Sequence, residues 1–498
     1  MPTELKDHTQ IKGRSSQVIE ALFIRDKSQP SIIKTRRYKS WTMGYARLQI
    51  EGQAQDSHEV NIAMLAGLLN QELAAAESSS QPHTGSSAIM IGDVGSLTRN
   101  VDPAEYDPHH VSIGPYHRIN NPELARDDEK IRCLRVVLSA ASAGGGTRLE
   151  GYLDELARLE VQARRCYVHS FPLDSEMFLR MLLLDACYLL VRFGGVAGGH
   201  HTNGAGGSDK LEAVAVVRDV FYLAENQIPF FVVEKVHQLT FLDGSVSAAD
   251  TIGRYVRDLL SKRHQYYSFA TPRLSEPGNL LHLVHMHFNF KPILPSGGKA
   301  TRKRVDRWRT ATEYYFAGVK FKRCHDGARC ILDVRLNSGS TVLEVPRLNI
   351  DAETWPLLRN LMALEQRNPE TTGSHVTAYC VFMSQLACTA IDVDLLCRSG
   401  VIAHGLGNNA EVSRCFADLC KGVVFSVDDH HCNYLRATCQ ALEKRYRSQH
   451  GRWVAWLRQK YFRNPWLAVG LAAAVVGLVC TVVQAVYSVL SYNQGGAR

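Results

Sequence analysis

The chain has 498 residues, 45% of them apolar, enough to fill one large core or two ordinary ones. A formal charge of +8 is mild for this length and gives no default case for nucleic acid. Thirteen irregularly spaced cysteines argue against a disulfide framework and read as free, small apolar side chains.

The start, MPTELKDHTQ, lacks the basic-then-apolar pattern of a secretory signal. Residues 1–90 read as a variable or partly disordered extension. It holds one helix-forming run, VNIAMLAGLLNQELAAAE, and the linker SSSQPHTGSS. A mainly helical domain is expected over 91–450. Asn121 to Ala140 opens near Pro122 and spaces Leu124, Ile131, Leu134 and Val137 as a helix does. MFLRMLLLDACYLLVRFG is apolar on nearly all sides except Arg180, Asp185 and Arg192, and predicts a core helix. Glycine-rich Gly194 to Asp209 reads as a surface insertion.

The run DVFYLAENQIPFFVVEKV, Asp219 to Val236, follows. Pro229 lacks an amide hydrogen and disfavours helical geometry at Ile228, so one helix should stop near Asn226. Pro229 suits the first turn of the next helix, which Phe230 would anchor in the core. Asn226 or Gln227 can satisfy backbone groups at such a break, and Glu225 can pair with a base or bind a free amide. The structural reading outweighs the catalytic one.

Further on, GVKFKR, ARCILDVRL and TVLEVPRLNI alternate in part and predict short strands. Pro356 opens a helix marked by Leu357, Leu361 and Leu364, and Val376 to Leu396 is again mainly apolar. Trp466 to Leu490 carries no formal charge and reads as a membrane span. Trp466 and Tyr487 would be its interfacial anchors. Arg458, Lys460 and Arg463 before it would hold the main domain in the cytosol. The boundaries that follow are a basic juxtamembrane segment at 451–465, the span at 466–490 and a tail at 491–498.

Several groups invite a chemical reading. Tyr106, His109, His110, Tyr116 and His117 crowd around the Gly114–Pro115 turn, where hydrogen bonding of a turn is the simpler role. His282, His285 and His287 form HxxHxH without the acidic residue of a zincin. Cys415, Cys420, His430, His431, Cys432 and Cys439 lack a compact Cys-x2-Cys pair. Asp392 and Asp394 do not share a helix face. PSGGKATRKR is no phosphate loop, because Ile293 stands where its first glycine belongs and Ala300 follows Lys299. Lys299, Arg302, Lys303 and Arg304 would instead give a basic surface for an anionic lipid or an acidic partner. No metal, cofactor or catalytic residue is expected.

The motifs resemble those of the plant DUF247 family, also called UPF0481. YDPHHVSIGPYHR, LAENQIPFFVVEKV, ATEYYFAGVKFKR, VPRLNI with LLRNLMALEQ, VFMSQLACTAIDVDLLCRSGVI and YFRNPW with VCTVVQAVY occur in the family's order. Ala224 stands where a larger apolar residue is usual, and Arg118 where a histidine is common. The resemblance implies a plant protein that is mainly helical, with a C-terminal anchor and no known reaction. It also implies that some grass relatives act as pollen-side self-incompatibility determinants.

The expected fold is therefore mainly α, a large helical domain with a small inserted β-sheet and a C-terminal transmembrane helix. The expected function is a membrane-tethered interaction or signalling adaptor, with the lipid bilayer and an unknown protein as partners and the plasma membrane as a site. The alternatives are a membrane-bound enzyme led by the histidine and tyrosine cluster, or a cell-surface recognition protein of opposite topology.

Overall fold

The computed structural model describes residues 89–495 apart from 144, 146, 197–206, 242–245, 264–265, 267–276, 289–307, 325–329, 338, 340, 430–431 and 449–464. Residues 1–88 lie outside the described residues, and everything below concerns the unit Thr84–Arg498. The predicted N-terminal helix and linker, the centre of the first glycine-rich insertion, and Lys299, Arg302, Lys303, Arg304, Arg458, Lys460 and Arg463 all lie outside the described residues.

The chain enters as an extended strap, Ile89 to Val94, and turns into a short helix α1 (Ser96–Arg99). Then come α2 (Pro115–Asn120), α3 (Asp127–Ala143), α4 (Leu149–Arg165), α5 (Ser175–Phe193), α6 (Gly207–Phe221), α7 (Phe230–Thr240), α8 (Ala248–Asp258) and α9 (Leu280–Met286). Helix α5 is the axis of this half. Asp174 caps it by accepting from the Met177 amide at 2.7 Å. Every residue from Met181 to Val191 is buried, and α3, α4 and α7 pack around it. This is why its sequence has no polar face.

The second half begins with α10 (Ala311–Phe316), followed by β1 (Lys320–Arg323), β2 (Arg335–Leu336), β3 (Val342–Val345) and β4 (Leu348–Ile350). It continues through α11 (Thr354–Arg367), α12 (Pro369–Thr372), α13 (His375–Leu386), α14 (Ala390–Arg398), β5 (Ile402–His404), α15 (Asn409–Leu419), α16 (Arg436–Arg447) and α17 (Pro465–Gly495). Strand β3 is central to a three-stranded sheet, parallel to β1 and antiparallel to β2. Strands β4 and β5 make a separate parallel pair. Thr389 and Asp392 form a capping box at the start of α14. The free oxygen of Asp392 reaches across to the Thr312 amide of α10 at 2.8 Å. The protein is thus mainly α with a small inserted β-sheet.

The structure corrects three readings. Pro229 is the N-cap of α7 (φ −58°, ψ 131°), one residue ahead of the helix rather than inside its first turn. Strand β5 was not foreseen, because its pairing with β4 joins segments more than fifty residues apart.

The largest correction concerns the C-terminus. Helix α17 runs for 31 residues, yet its described apolar stretch is Ala472–Ser488. That stretch spans about 26 Å at roughly 1.5 Å per residue, short of a hydrocarbon core of about 30 Å. No single helix among the described residues is long and apolar enough to cross a membrane. The expected transmembrane helix, the bilayer as partner, the single-pass topology of either sense and the membrane-tethered role are withdrawn with it. Trp466 and Tyr487 lie exposed on α17, not at the ends of a span.

Candidate functional site

The polar residues of the sequence converge on one place, where the turn 107–117 and the strap meet the α6–α7 break. Asp219, in the last turn of α6, is fully buried. Its carboxylate accepts the amides of His109 (3.0 Å), His110 (2.6 Å) and Val111 (3.0 Å). Asn226 accepts the Ile113 amide at 2.7 Å and donates to the carbonyls of Val111 and Asp219 at 3.0 and 2.9 Å. Gln227 accepts from Leu280 and Leu281, which open α9, at 3.0 and 3.2 Å. Its amide nitrogen donates to the carbonyls of Val220 and Leu223 at the end of α6. One side chain therefore serves both helix ends. The Phe230 amide, left over by the break, donates to the Gly278 carbonyl at 2.9 Å.

Glu225 both pairs with a base and binds a free amide. One oxygen accepts the Val94 amide at 2.6 Å, and Arg99 holds both oxygens at 2.8 Å. The Nε2 of His117 stands 3.5 Å from Glu225, and its Nδ1 stands 4.0 Å from Asp107. The Arg99 guanidinium lies 5.9 Å from the ring centre of buried Tyr106. Tyr116 packs edge-on to Phe171 at 4.8 Å, and burial pushes its hydroxyl up to about 12.

Gly114 precedes Pro115 with φ +74°, a conformation that favours glycine. Its amide donates to Asp185 at 2.7 Å. The other oxygen of Asp185 binds Lys130, whose ammonium also donates to the Ser112 carbonyl at 2.6 Å. Asp185 and Lys130 are both fully buried.

The site thus joins Tyr106, Gly114, Pro115, Tyr116, His117, Glu225, Asn226, Gln227, Pro229 and Phe230. Sequence reasoning missed Arg99, Asp107, Lys130, Asp185 and Asp219 as partners. The signal was present for Asp185, a lone charge inside an apolar helix, because a buried charge requires a partner.

Burial lowers His117 to about 4, with the positive charge of Arg99 adding to the effect and Asp107 opposing it. Burial raises Glu225, against the pull of Arg99 and the Val94 amide. A neutral histidine beside a carboxylate could move a proton, but both oxygens of Glu225 are already held by Arg99 and Val94.

The lowered His117 sets a sign for acid sensitivity. Unfolded, this imidazole takes up a proton near its ordinary 6.5, and folded only near 4. Its contribution to stability is therefore complete above about pH 6.5 and is lost as pH falls toward 4. Urea midpoints followed from about pH 7.5 to 4.5 should fall less steeply in His117→Gln than in the wild type. Parallel curves would refute the assignment.

The other groups divert their ligand atoms elsewhere. His282 accepts the Gly278 amide through Nδ1 at 3.0 Å. His285 bonds Glu365 at 2.8 Å, and that carboxylate also caps α13 through the amides of Val376 and Thr377. The rings of His282 and His285 lie 6.3 Å apart. His430 and His431 of the mixed cysteine group lie outside the described residues, and burial pushes the Cys439 thiol up to about 12.

His110, Glu129 and Glu212 do bring ligand atoms within 4.8 Å of one another. Arg192 already bridges the two carboxylates. Arg126 donates to the Nδ1 of His110 at 3.1 Å, so Nε2 carries the ring proton and faces Glu212 at 3.3 Å. A metal-bound histidine needs the reverse, a bare nitrogen on the metal and an acceptor behind the ring. The cation of this cluster is Arg192.

Comparison with known proteins gives a consistent picture. The family model for DUF247, described as a plant protein of unknown function, matches residues 91–480. The UPF0481 protein At3g47200 of Arabidopsis thaliana is 24% identical over 421 residues, covering 79% of this chain and 84% of its own. The putative UPF0481 protein At3g02645 of the same plant is 24% identical over 478 residues, covering 77% and 87%. No solved structure matches.

Proposed function

The chain belongs to the DUF247 family of plant proteins, and we propose from its geometry that it is a protein-recognition module. The observation that carries this reading is the use made of the most chemically capable residues. Asp185, Asp219, Glu225, Asn226 and Gln227 all bind backbone amides of the strap, the turn or α9. They hold a surface in place, and that surface is where a partner would be met.

Two exposed apolar side chains lie on the segments beside this clamp. Leu97 on α1 is 77% exposed and Val424 is 83% exposed. Their segments touch, with the Thr98 hydroxyl donating to the Gly422 carbonyl at 3.2 Å. Large apolar side chains this exposed, on two segments that touch, suit a protein partner.

The test is proximity labelling in plant tissue with the full chain and with Leu97→Asp/Val424→Asp. Surface changes of this kind leave stability within about 0.5 kcal/mol. The expected result is a defined set of proteins labelled by the wild type and lost with the variant. Identical sets from the two would overturn the reading.

A further inference from the structure

The strap Ile89–Val94 is bound as a peptide ligand is bound. The Ile91 amide donates to the Cys166 carbonyl at 2.7 Å, and the Val168 amide donates back to the Ile91 carbonyl at 3.0 Å. This makes a parallel bridge beside Tyr167, one step of strand addition. On the other side Asn368 takes the place of a neighbouring strand. Its side chain accepts the Met90 amide at 2.7 Å and donates to the Met90 carbonyl at 3.2 Å. The Arg367 guanidinium donates to the Asp93 carbonyl at 2.6 Å, and Glu225 takes the Val94 amide.

The groove also selects side chains. Ile89 packs where a Cβ on Gly278 would come within 2.3 Å of its own Cβ. Ile91 is 1% exposed and Val94 is 6% exposed. A Cβ on Gly92 would lie 2.8 Å from Val168 and 2.9 Å from Arg367, so a glycine is favoured there. The Asp93 carboxylate meets His169 at 2.9 Å and Arg367 at 3.2 Å. The pattern read is Ile-x-Ile-Gly-Asp-Val in an extended conformation.

These bonds join the strap to segments remote in sequence. The strap is followed by Gly95, which has no heavy atom within 4 Å of a built Cβ. Gly95 is the N-cap of α1, its carbonyl accepting the Thr98 and Arg99 amides at 3.0 Å, so the strap can leave as a unit ahead of that helix, and every bond broken within one chain is remade with another.

We propose that this groove is a recognition site for a second copy of the chain, taking the Ile89–Val94 strap in trans. The proposal extends the recognition reading and names its partner for this surface. It uses neither Leu97 nor Val424, so either reading can fail alone.

Two full-length single variants test it, Asp93→Cys and Arg367→Cys, co-expressed and treated with a short bis-maleimide. A link between positions 93 and 367 can then form only when the strap of one chain sits in the groove of the other. The expected result is a covalent dimer carrying that link by peptide mapping. The double variant in one chain supplies the control, a link within the chain at low concentration. A control link without any link between chains would overturn the proposal.

If either variant fails to fold by circular dichroism, or the control gives no link, a labelled peptide SAIMIGDV is titrated into the wild-type full chain and into Asn368→Ala. Rising anisotropy with the wild type, weakened at least tenfold by Asn368→Ala, supports the groove. Because the chain's own strap fills the groove, the same titration is run on Ile91→Asp, which weakens that strap's hold; a flat titration there, or equal binding to Ile91→Asp and Ile91→Asp/Asn368→Ala, overturns it.

Discussion

Lys130→Met will lose about 3–5 kcal/mol of stability, a large part of the roughly 5–15 kcal/mol that a domain has. Lys130 and Asp185 are both fully buried, and the ammonium is held between that carboxylate and the Ser112 carbonyl. Methionine fills the space but leaves Asp185 charged in the core with no counter-ion. The Gly114 amide remains its donor, so the effect is that of an unpaired charge and not of a cavity. Lys130→Met/Asp185→Asn should recover part of the loss, since the neutral amide still accepts from Gly114. Urea denaturation of the wild type, both single variants and the double variant gives the coupling. A single-variant cost below about 1 kcal/mol would show that the pair is reached by water.

Gly114→Ala is the second large effect. At φ +74° and ψ −171° the residue occupies a region that is essentially open to glycine alone. An added Cβ would also lie 2.3 Å from the Gln227 carbonyl oxygen. That oxygen is backbone, at the α6–α7 break, and cannot swing aside as a side chain would. We expect a loss of about 3 kcal/mol or more, by strain plus displacement of the turn. Gly145→Ala separates the two causes. Gly145 has φ +70° but open space around it, so it should bear backbone strain alone, about 1–3 kcal/mol, and cost less than Gly114. Equal costs at the two positions would remove the Gln227 contact from the account.

The α6–α7 break was legible from the sequence because its cause is local. Helix α6 itself stops at Phe221, ahead of the Asn226 that the proline alone suggested, but Pro229 marks the start of α7 and a buried break needs side-chain partners. The same holds for Asp392, whose capping box with Thr389 is written three residues apart. The partners of the site were not legible. Glu225 meets Arg99 across 126 positions, and Asp185 meets Gly114 across 71. Periodicity carries no information at such separations. The strap itself fell at the edge of the segment read as a variable extension, because IMIGDV is too short to show alternation. At the other end, a charge-free run from Trp466 to Leu490 satisfies a composition rule for a span, whereas the described apolar stretch of α17 falls short of the required length.

The order in which the clamp's pieces leave the ribosome follows from these separations. The amides of His109 to Val111 are made about 110 residues before the Asp219 carboxylate that gathers them. At roughly 5–20 residues per second they wait about 5–20 s. Met90 waits longer, since Asn368 lies 278 positions on, or about 15–55 s at the same rate. During synthesis, two buried isoleucines and a row of backbone donors are displayed on a nascent chain whose receptor does not yet exist. The strap is the first described part to be made and among the last that can dock. Nascent chains on one messenger would expose it side by side, which makes the polysome a natural setting for a chaperone, or for a neighbouring copy, to reach it first.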